Sequence, residues 1–337
     1  MPLINSILNL VNFGRLEEIE YFRRHAEEIQ ENQFKQLIQS ASDTVFGQKY
    51  HFDEIKSRHE FSSRVPVHDY EKLKPYIFRI MHGEQNILWN TETKWFAKSS
   101  GTTSDKSKFI PITRESLENC HFRSGKDIFA MFTSSYPDTN IFSGKTLTLG
   151  GSTSINSLSE NSYYGDLSAV LIQNLPFWTY FKRVPSPEIA LMQEWESKMQ
   201  MMVETTINKN VTILVGVPSW FLVLLKKVIE TTGARTILDV WPNLELFIYG
   251  GINFLPYADV YRSLIPSEQM KYLETYNASE GFFGIQDDLN RDDMLLMLDY
   301  GIYYEFMPIE HSGEMSEKIV MLEDVVPGQN YAMIIST

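Results

Sequence analysis

Between Lys98 and Phe109 the sequence reads KSSGTTSDKSKF, with Ser99, Ser100, Thr102 and Thr103 grouped around Gly101 and Lys106 and Lys108 close behind. Hydroxyls, backbone N–H groups and nearby ammonium groups on one polar loop suit a single small anion, and the phosphate of a nucleotide is the obvious guest. The alternative is a Ser/Thr-rich hairpin turn with solvated lysines. A β-prone run, Lys94-Trp95-Phe96-Ala97, leads in, and Phe109-Ile110-Pro111-Ile112 leads out.

Two common phosphate loops are excluded. A Walker A motif needs Gly directly before Lys-Ser/Thr, but Asp105 precedes Lys106-Ser107. The dinucleotide fingerprint G-x-G-x-x-G is missing as well. The string instead resembles the phosphate loop of the acyl-adenylate-forming superfamily (luciferases, acyl-CoA synthetases), roughly S-S/T-G-T/S-T/S-G-x-x-K. Within that group SSGTTSDKSKFIPIT is most similar to the auxin-responsive acyl acid–amido synthetase family. Ser104 stands where the wider superfamily has Gly, which stiffens the loop slightly.

A second stretch, YNASEGFFGIQDD, resembles the superfamily's Y-G-x-T/S-E. Tyr276 offers a ring face for adenine, Ser279 a hydroxyl for the α-phosphate, and Glu280 a hard oxygen ligand for Mg²⁺ bridging the phosphates. Asn277 replaces a Gly, and Asn tolerates a positive φ best among the other residues. The resemblance implies an ATP site of Ser99, Ser100, Gly101, Thr102, Thr103, Gly250, Gly251, Tyr276, Asn277, Ala278 and Ser279. It also implies that Lys108 and Glu280 act on the phosphates, Glu280 through the metal, and that Gly151, Val217 and Trp220 face the acyl group. Related synthetases hold the substrate carboxylate with an arginine on the helix after the loop. The matching position here is Asp127, so that role does not transfer, and Lys126 is read as a surface residue.

Other motifs lead nowhere. GGSTS after Leu149 lacks the closing Gly of a G-x-S-x-G elbow. The acidic run Asp287–Asp293 starts like an EF-hand loop, but Asp293 replaces the required Gly and Asp299 the Glu. None of the seven histidines lies at a metal-ligand spacing from another or from Cys120.

These groups must be positioned by an alternation of strands and helices. Apolar spacing predicts one or two helices over 15–41, a turn at 43–47 and a helix capped by Asp69. Thr113 is expected to cap a helix with Leu117, Cys120, His121, Ile128, Phe129 and Phe132 inward. A strand at 145–149, a helix from about Ser186 to Ile207 with a methionine stripe, and a strand at 211–215 follow. Ser219 is expected to cap a helix to Thr231. Strands at 244–249 and 272–276 come next, then an antiparallel pair, Met294–Leu298 with Ile302–Met307, and a last strand from Tyr331. Strands alternating with helices imply an α/β fold of mainly parallel sheets with flanking helices and antiparallel strands near the C-terminus.

The 337 residues carry a formal net charge of −13, which argues against a nucleic-acid or anionic-membrane binder. A single cysteine excludes an internal disulfide. The start, MPLINSILNLVNFGRLEE, lacks a basic n-region and is too short to span a bilayer, so a cytoplasmic protein is expected.

The resemblance covers essentially the whole chain. It implies one large N-terminal adenylating domain over 1–337 of a bacterial-type member, with the family's third motif and C-terminal lid absent. The implied function is ATP- and Mg²⁺-dependent adenylation of a carboxylic acid followed by amide formation with an amino acid, by a monomer. The alternatives are acyl-CoA ligation and a non-catalytic nucleotide- or acid-binding remnant.

Overall fold

The computed structural model describes residues 2–99, 107–151, 155–159, 161–175, 181–310, 313, 315–316 and 318–337, with side chains from Phe13 onward. The chain opens with helices α1 (Pro2–Arg24), α2 (Ala26–Ala41), α3 (Val45–Lys49), α4 (Arg58–Arg64) and α5 (Tyr70–Met81). The turn expected at 43–47 is instead the entry to α3, because the Thr44 side chain accepts the Gly47 N–H and caps a helical turn. Asp69 caps α5 as expected, accepting from the Lys72 N–H at 2.9 Å.

Strands β1 (Trp95–Ser99) and β2 (Lys108–Ile112) follow, then α6 (Phe122–Ser135), β3 (Lys145–Leu149), β4 (Asn156–Ser159), β5 (Ser162–Gly165) and α7 (Leu167–Asn174). The helix after β2 begins with a π-wound stretch, Ser116–His121, and the Thr113 hydroxyl accepts the Ser116 N–H at 3.0 Å. Then come β6 (Arg183–Val184), α8 (Pro187–Ala190), α9 (Trp195–Thr206), β7 (Val211–Gly216), α10 (Pro218–Thr232), β8 (Leu246–Gly250), α11 (Ala258–Leu264) and β9 (Lys271–Ala278). The last strands are β10 (Gly281–Ile285), β11 (Leu295–Leu296), β12 (Tyr303–Pro308), β13 (Val320–Met321) and β14 (Tyr331–Ser336).

The strands form three sheets, ordered β2-β1-β5-β4, β11-β10-β9-β8-β7-β3-β6 and β13-β12-β14. In the seven-stranded sheet β6, β3, β7, β8 and β9 run parallel, while β10 and β11 are antiparallel additions. Side chains alternate across this sheet with period two. Ile213, Leu246 and Ile248 join one apolar cluster with Ile128 and Phe132 of α6. Leu214, Phe247 and Tyr249 join another with Leu224 and Leu225 of α10. A sheet covered on both faces explains why β7 and β8 read as continuous apolar runs. Burying each large apolar side chain contributes about 1.5–3 kcal/mol.

Three expectations about elements need correction. The helix over 186–207 is two helices, α8 and α9, separated by Leu191–Glu194. Helix α10 starts two residues earlier than Ser219 implies: Val217 is its N-cap residue without a side-chain cap, and Pro218 takes the first helical position. That position suits proline, whose missing N–H has no partner to lose there. Finally, 294–298 and 302–307 do not pair with each other. Strand β11 pairs with β10, and β12 lies between β13 and β14, because Asp299-Tyr300-Gly301 carries the chain from one sheet to another.

Candidate functional site

The parallel registers align the strand ends. Leu149 of β3 pairs with Gly216 of β7, Gly216 with Tyr249 of β8, and Gly250 with Thr275 of β9. Gly150-Gly151, Val217 and Gly250-Gly251 therefore lie at the carboxyl edge of the parallel strands, where open α/β sheets take ligands, and Tyr276-Asn277 continue β9 just beyond that edge, still paired with β10. Gly251 has φ +84°, and a Cβ built on it would stand 3.7 Å from Val217 Cγ2, so the segments that follow β8 and β7 lie against one another. Trp220, on the first turn of α10, packs against Trp195 with ring centroids 6.0 Å apart.

Strands β9 and β10 form a hairpin with Gly281 opposite Ala278, which leaves Ser279-Glu280 as its two-residue tip. Glu280 is exposed there. Tyr276 is 51% exposed and leans on Phe283 at 5.1 Å, leaving ring surface open.

The Ser/Thr-rich loop leaves from β1 and returns through β2. Ser100, Gly101, Thr102, Thr103 and Lys106 lie outside the described residues; the base of the loop is formed by Ser99 and Lys108. Ser99 pairs with Lys108 across the antiparallel ladder. The Lys108 ammonium stands 5.7 Å over the Tyr70 ring, whose hydroxyl accepts the Phe109 N–H at 2.9 Å. Strand β1 is parallel to β5, with Ala97 opposite Gly165, so Ser99 and Asp166 emerge at the same end.

Asp166 then joins the two sheets. Its Oδ1 caps α7 by accepting from the Ala169 N–H at 2.8 Å, and accepts the Ser168 hydroxyl at 2.8 Å. Ser168 Oγ in turn accepts the Gly151 N–H at 3.1 Å. The loop base, the end of β3 and the glycine edge are thereby held on one side of the protein. The buried Lys198 of α9 donates to the carbonyls of Gly150, at 3.0 Å, and Gly151, at 2.7 Å.

Lys198, Asp166 and Ser168 escaped the sequence reading. The signal for Lys198 was a lone lysine on the apolar face of α9, in phase with Met199 and Met202. For Asp166 and Ser168 the only local signal is that of a helix start, since Asp166 caps α7. Asp127 is buried and held by Arg15 of α1, while Lys126 is exposed.

The donor set fits Mg²⁺ in a limited sense. Among the described residues no group of three or more His, Cys, Asp or Glu side chains could hold a metal ion. Mg²⁺ that keeps waters and phosphate oxygens needs only one or two carboxylates, and exposed Glu280 at the hairpin tip can be one. No helix among the described residues is long and apolar enough to cross a membrane.

Comparison with known proteins gives a consistent picture. The description "GH3 family N-terminal domain" matches residues 15–270, and "GH3 family central domain" matches residues 295–337. An indole-3-acetic acid-amido synthetase of Arabidopsis thaliana is 23% identical over 389 residues, spanning 96% of this chain and 64% of that protein. A jasmonoyl–L-amino acid synthetase of Nicotiana attenuata is 28% identical over 155 residues, which cover 44% of this chain and 27% of that one. A solved acyl acid amido synthetase superposes with a TM-score of 0.77 at 17% identity, over 96% of this chain and 65% of that one. At that identity the superposition speaks for the fold. This chain spans a little under two thirds of the length of the first relative and of the solved structure.

Proposed function

The chain belongs to the GH3 family, and we propose that it is an ATP-dependent acid–amino acid ligase. The observation that carries this reading is the convergence of the Ser99–Lys108 loop base with the carboxyl edges of β3, β7, β8 and β9, through Asp166, Ser168 and Gly151.

A carboxylate oxygen attacks the α-phosphorus of ATP, and the bond to pyrophosphate breaks, giving acyl-AMP. The amine of an amino acid then attacks the acyl carbon. AMP leaves, an amide forms, and the amine gives up a proton. The first step brings together two anions, so its barrier is mainly electrostatic and positional. Lys108, fixed against Tyr70 at the loop base, contributes positive charge from one side. The backbone of Gly250-Gly251 and the ring of Tyr276 give the adenine a flat slot. Val217 and Trp220, at the start of α10, face the acyl group. Mg²⁺, held through Glu280, would neutralise phosphate charge when bound. No side-chain general base is required for adenylation, because the acid enters already ionised. Relatives that act on indole-3-acetic acid, 4-substituted benzoates and jasmonic acid point to aryl-acetic, benzoic or jasmonic acids as the substrate class. The action is proposed for the cytoplasm.

The test is acid-dependent exchange of labelled pyrophosphate into ATP by the purified protein, across a panel of such acids. Amines and coenzyme A are then supplied as acceptors. Exchange with at least one acid, lost in Glu280→Ala while the fold and ATP binding persist, is the expected result. Intact ATP binding without exchange for any acid ends the ligase reading. Full exchange by Glu280→Ala removes Glu280 from the metal role.

A further inference from the structure

Helix α9 buries Lys198 completely, in company with Met199, Met202 and Val203. A methionine or leucine would fill the same space without the cost of desolvating an ammonium. Among the described residues it makes no ion pair within salt-bridge distance. Two of its three donors go to backbone carbonyls, those of Gly150 and Gly151. Burial pulls its pKa down to about 8, while the Asp166 carboxylate pulls the other way.

The geometry of one peptide explains the arrangement. In a trans peptide the carbonyl and the following N–H point in opposite directions. The Gly150–Gly151 peptide is gripped at both ends: Lys198 takes its carbonyl and Ser168 its N–H. A side chain at 151 would displace Asp166, since a Cβ there would lie 1.9 Å from Asp166 Oδ2. A buried charge therefore fixes the Gly150–Gly151 backbone, which leaves β3 at the edge assigned above to the acyl group.

We propose that Lys198 is a positioning residue for the acid substrate: by holding the Gly150 and Gly151 carbonyls inward, it sets the Gly150–Gly151 backbone that the acyl group packs against. The proposal rests on the ligase reading for the identity of the ligand. The clamp itself does not.

Two measurements separate these. Hydrogen exchange of the Gly150–Gly151 amides reads the clamp without any ligand. Dissociation constants for indole-3-acetate and benzoate, from tryptophan fluorescence, read its consequence, with ATP affinity as the control. Lys198→Met is expected to keep its circular dichroism and ATP affinity. Its loop amides should exchange at least ten-fold faster, and acid binding should weaken at least ten-fold. Lys198→Arg, which keeps charge and donors, should recover part of both. Ser168→Ala, which releases the other end of the same peptide, should also speed exchange, and it serves if Lys198→Met fails to fold.

Wild-type amide protection in Lys198→Met, or in Ser168→Ala if that variant alone folds, overturns the proposal. Faster exchange with unchanged acid affinity overturns the substrate-positioning role. If the wild-type protein binds ATP but neither acid, acid positioning falls for these probes, and the pyrophosphate exchange panel decides the ligase reading separately.

Discussion

Arg15 and Asp127 stand 112 residues apart in sequence and meet as a forked ion pair between α1 and α6. Arg15 Nη2 donates to Asp127 Oδ2 at 2.6 Å and Nε to Oδ1 at 3.0 Å. Asp127 also accepts the Tyr300 hydroxyl at 2.8 Å, and Arg15 reaches on to Asp299, which Arg123 contacts as well. Asp127 thus binds α1 to the core.

Removing one member of such a group strands the others. Asp127 is nearly closed to solvent, and Asp299 is mostly so. Arg15→Met should therefore lower unfolding stability by about 3 kcal/mol, in the range found for breaking buried pairs. Urea unfolding measures it. A loss below about 1 kcal/mol would place the group among ordinary surface pairs.

Two glycines should respond oppositely to alanine. At Gly151 the new Cβ collides with Asp166, so Gly151→Ala is expected to cost about 1–3 kcal/mol. At Gly125, inside α6, nothing lies within 4 Å of the new atom, and Gly125→Ala should stabilise by about 0.5–1 kcal/mol. Thermal unfolding of the pair decides the point. Equal shifts would contradict it.

His121 is buried, its Nε2 has no hydrogen-bond partner among the described residues, and burial pulls its pKa down from 6.5 to about 4. The unfolded chain takes up this proton near pH 6.5, while the folded protein resists until about 4. Stability from this group is thus present above pH 6.5 and is lost as pH falls to 4, by up to about 3 kcal/mol. Replacing it, as in His121→Leu, should flatten the fall in urea midpoint between pH 7 and 4.5. An unchanged slope would show that other groups govern acid unfolding.

Burial pushes the Cys120 thiol up to about 11, although the Phe282 N–H donates to its sulfur at 3.1 Å and opposes the shift. At pH 8 only about one thiol in a thousand is then ionised. Iodoacetamide should label the native protein only as fast as it opens, and the urea-unfolded protein at the ordinary rate of a free thiol. Rapid native labelling would mean the π-wound stretch does not shield the sulfur.

Much of the framework was legible because its causes are local. Strand 145–149 was read at its observed limits, and β7 and β8 lie within a residue or two of their apolar runs. Asp69 caps and Thr113 helps to start their helices through contacts three residues away, which neighbouring residue types reveal. Local reading failed where competing local signals or distant partners decide. Pro218 outranked Ser219 as the marker of a helix start, and β11 chose β10 over β12.

The amino-acid order by itself determined which strands carry glycine ends, and where hydroxyl-rich, aromatic and acidic residues gather along the chain. Only the tertiary structure decided that Lys198 grips a carbonyl 48 positions away, that Asp166 ties two sheets together, and that Asp127 belongs to Arg15. The reason is physical: propensities and caps act over a few residues, whereas a buried ammonium or carboxylate is stabilised by whichever partner the packing delivers, and packing is a property of the whole chain.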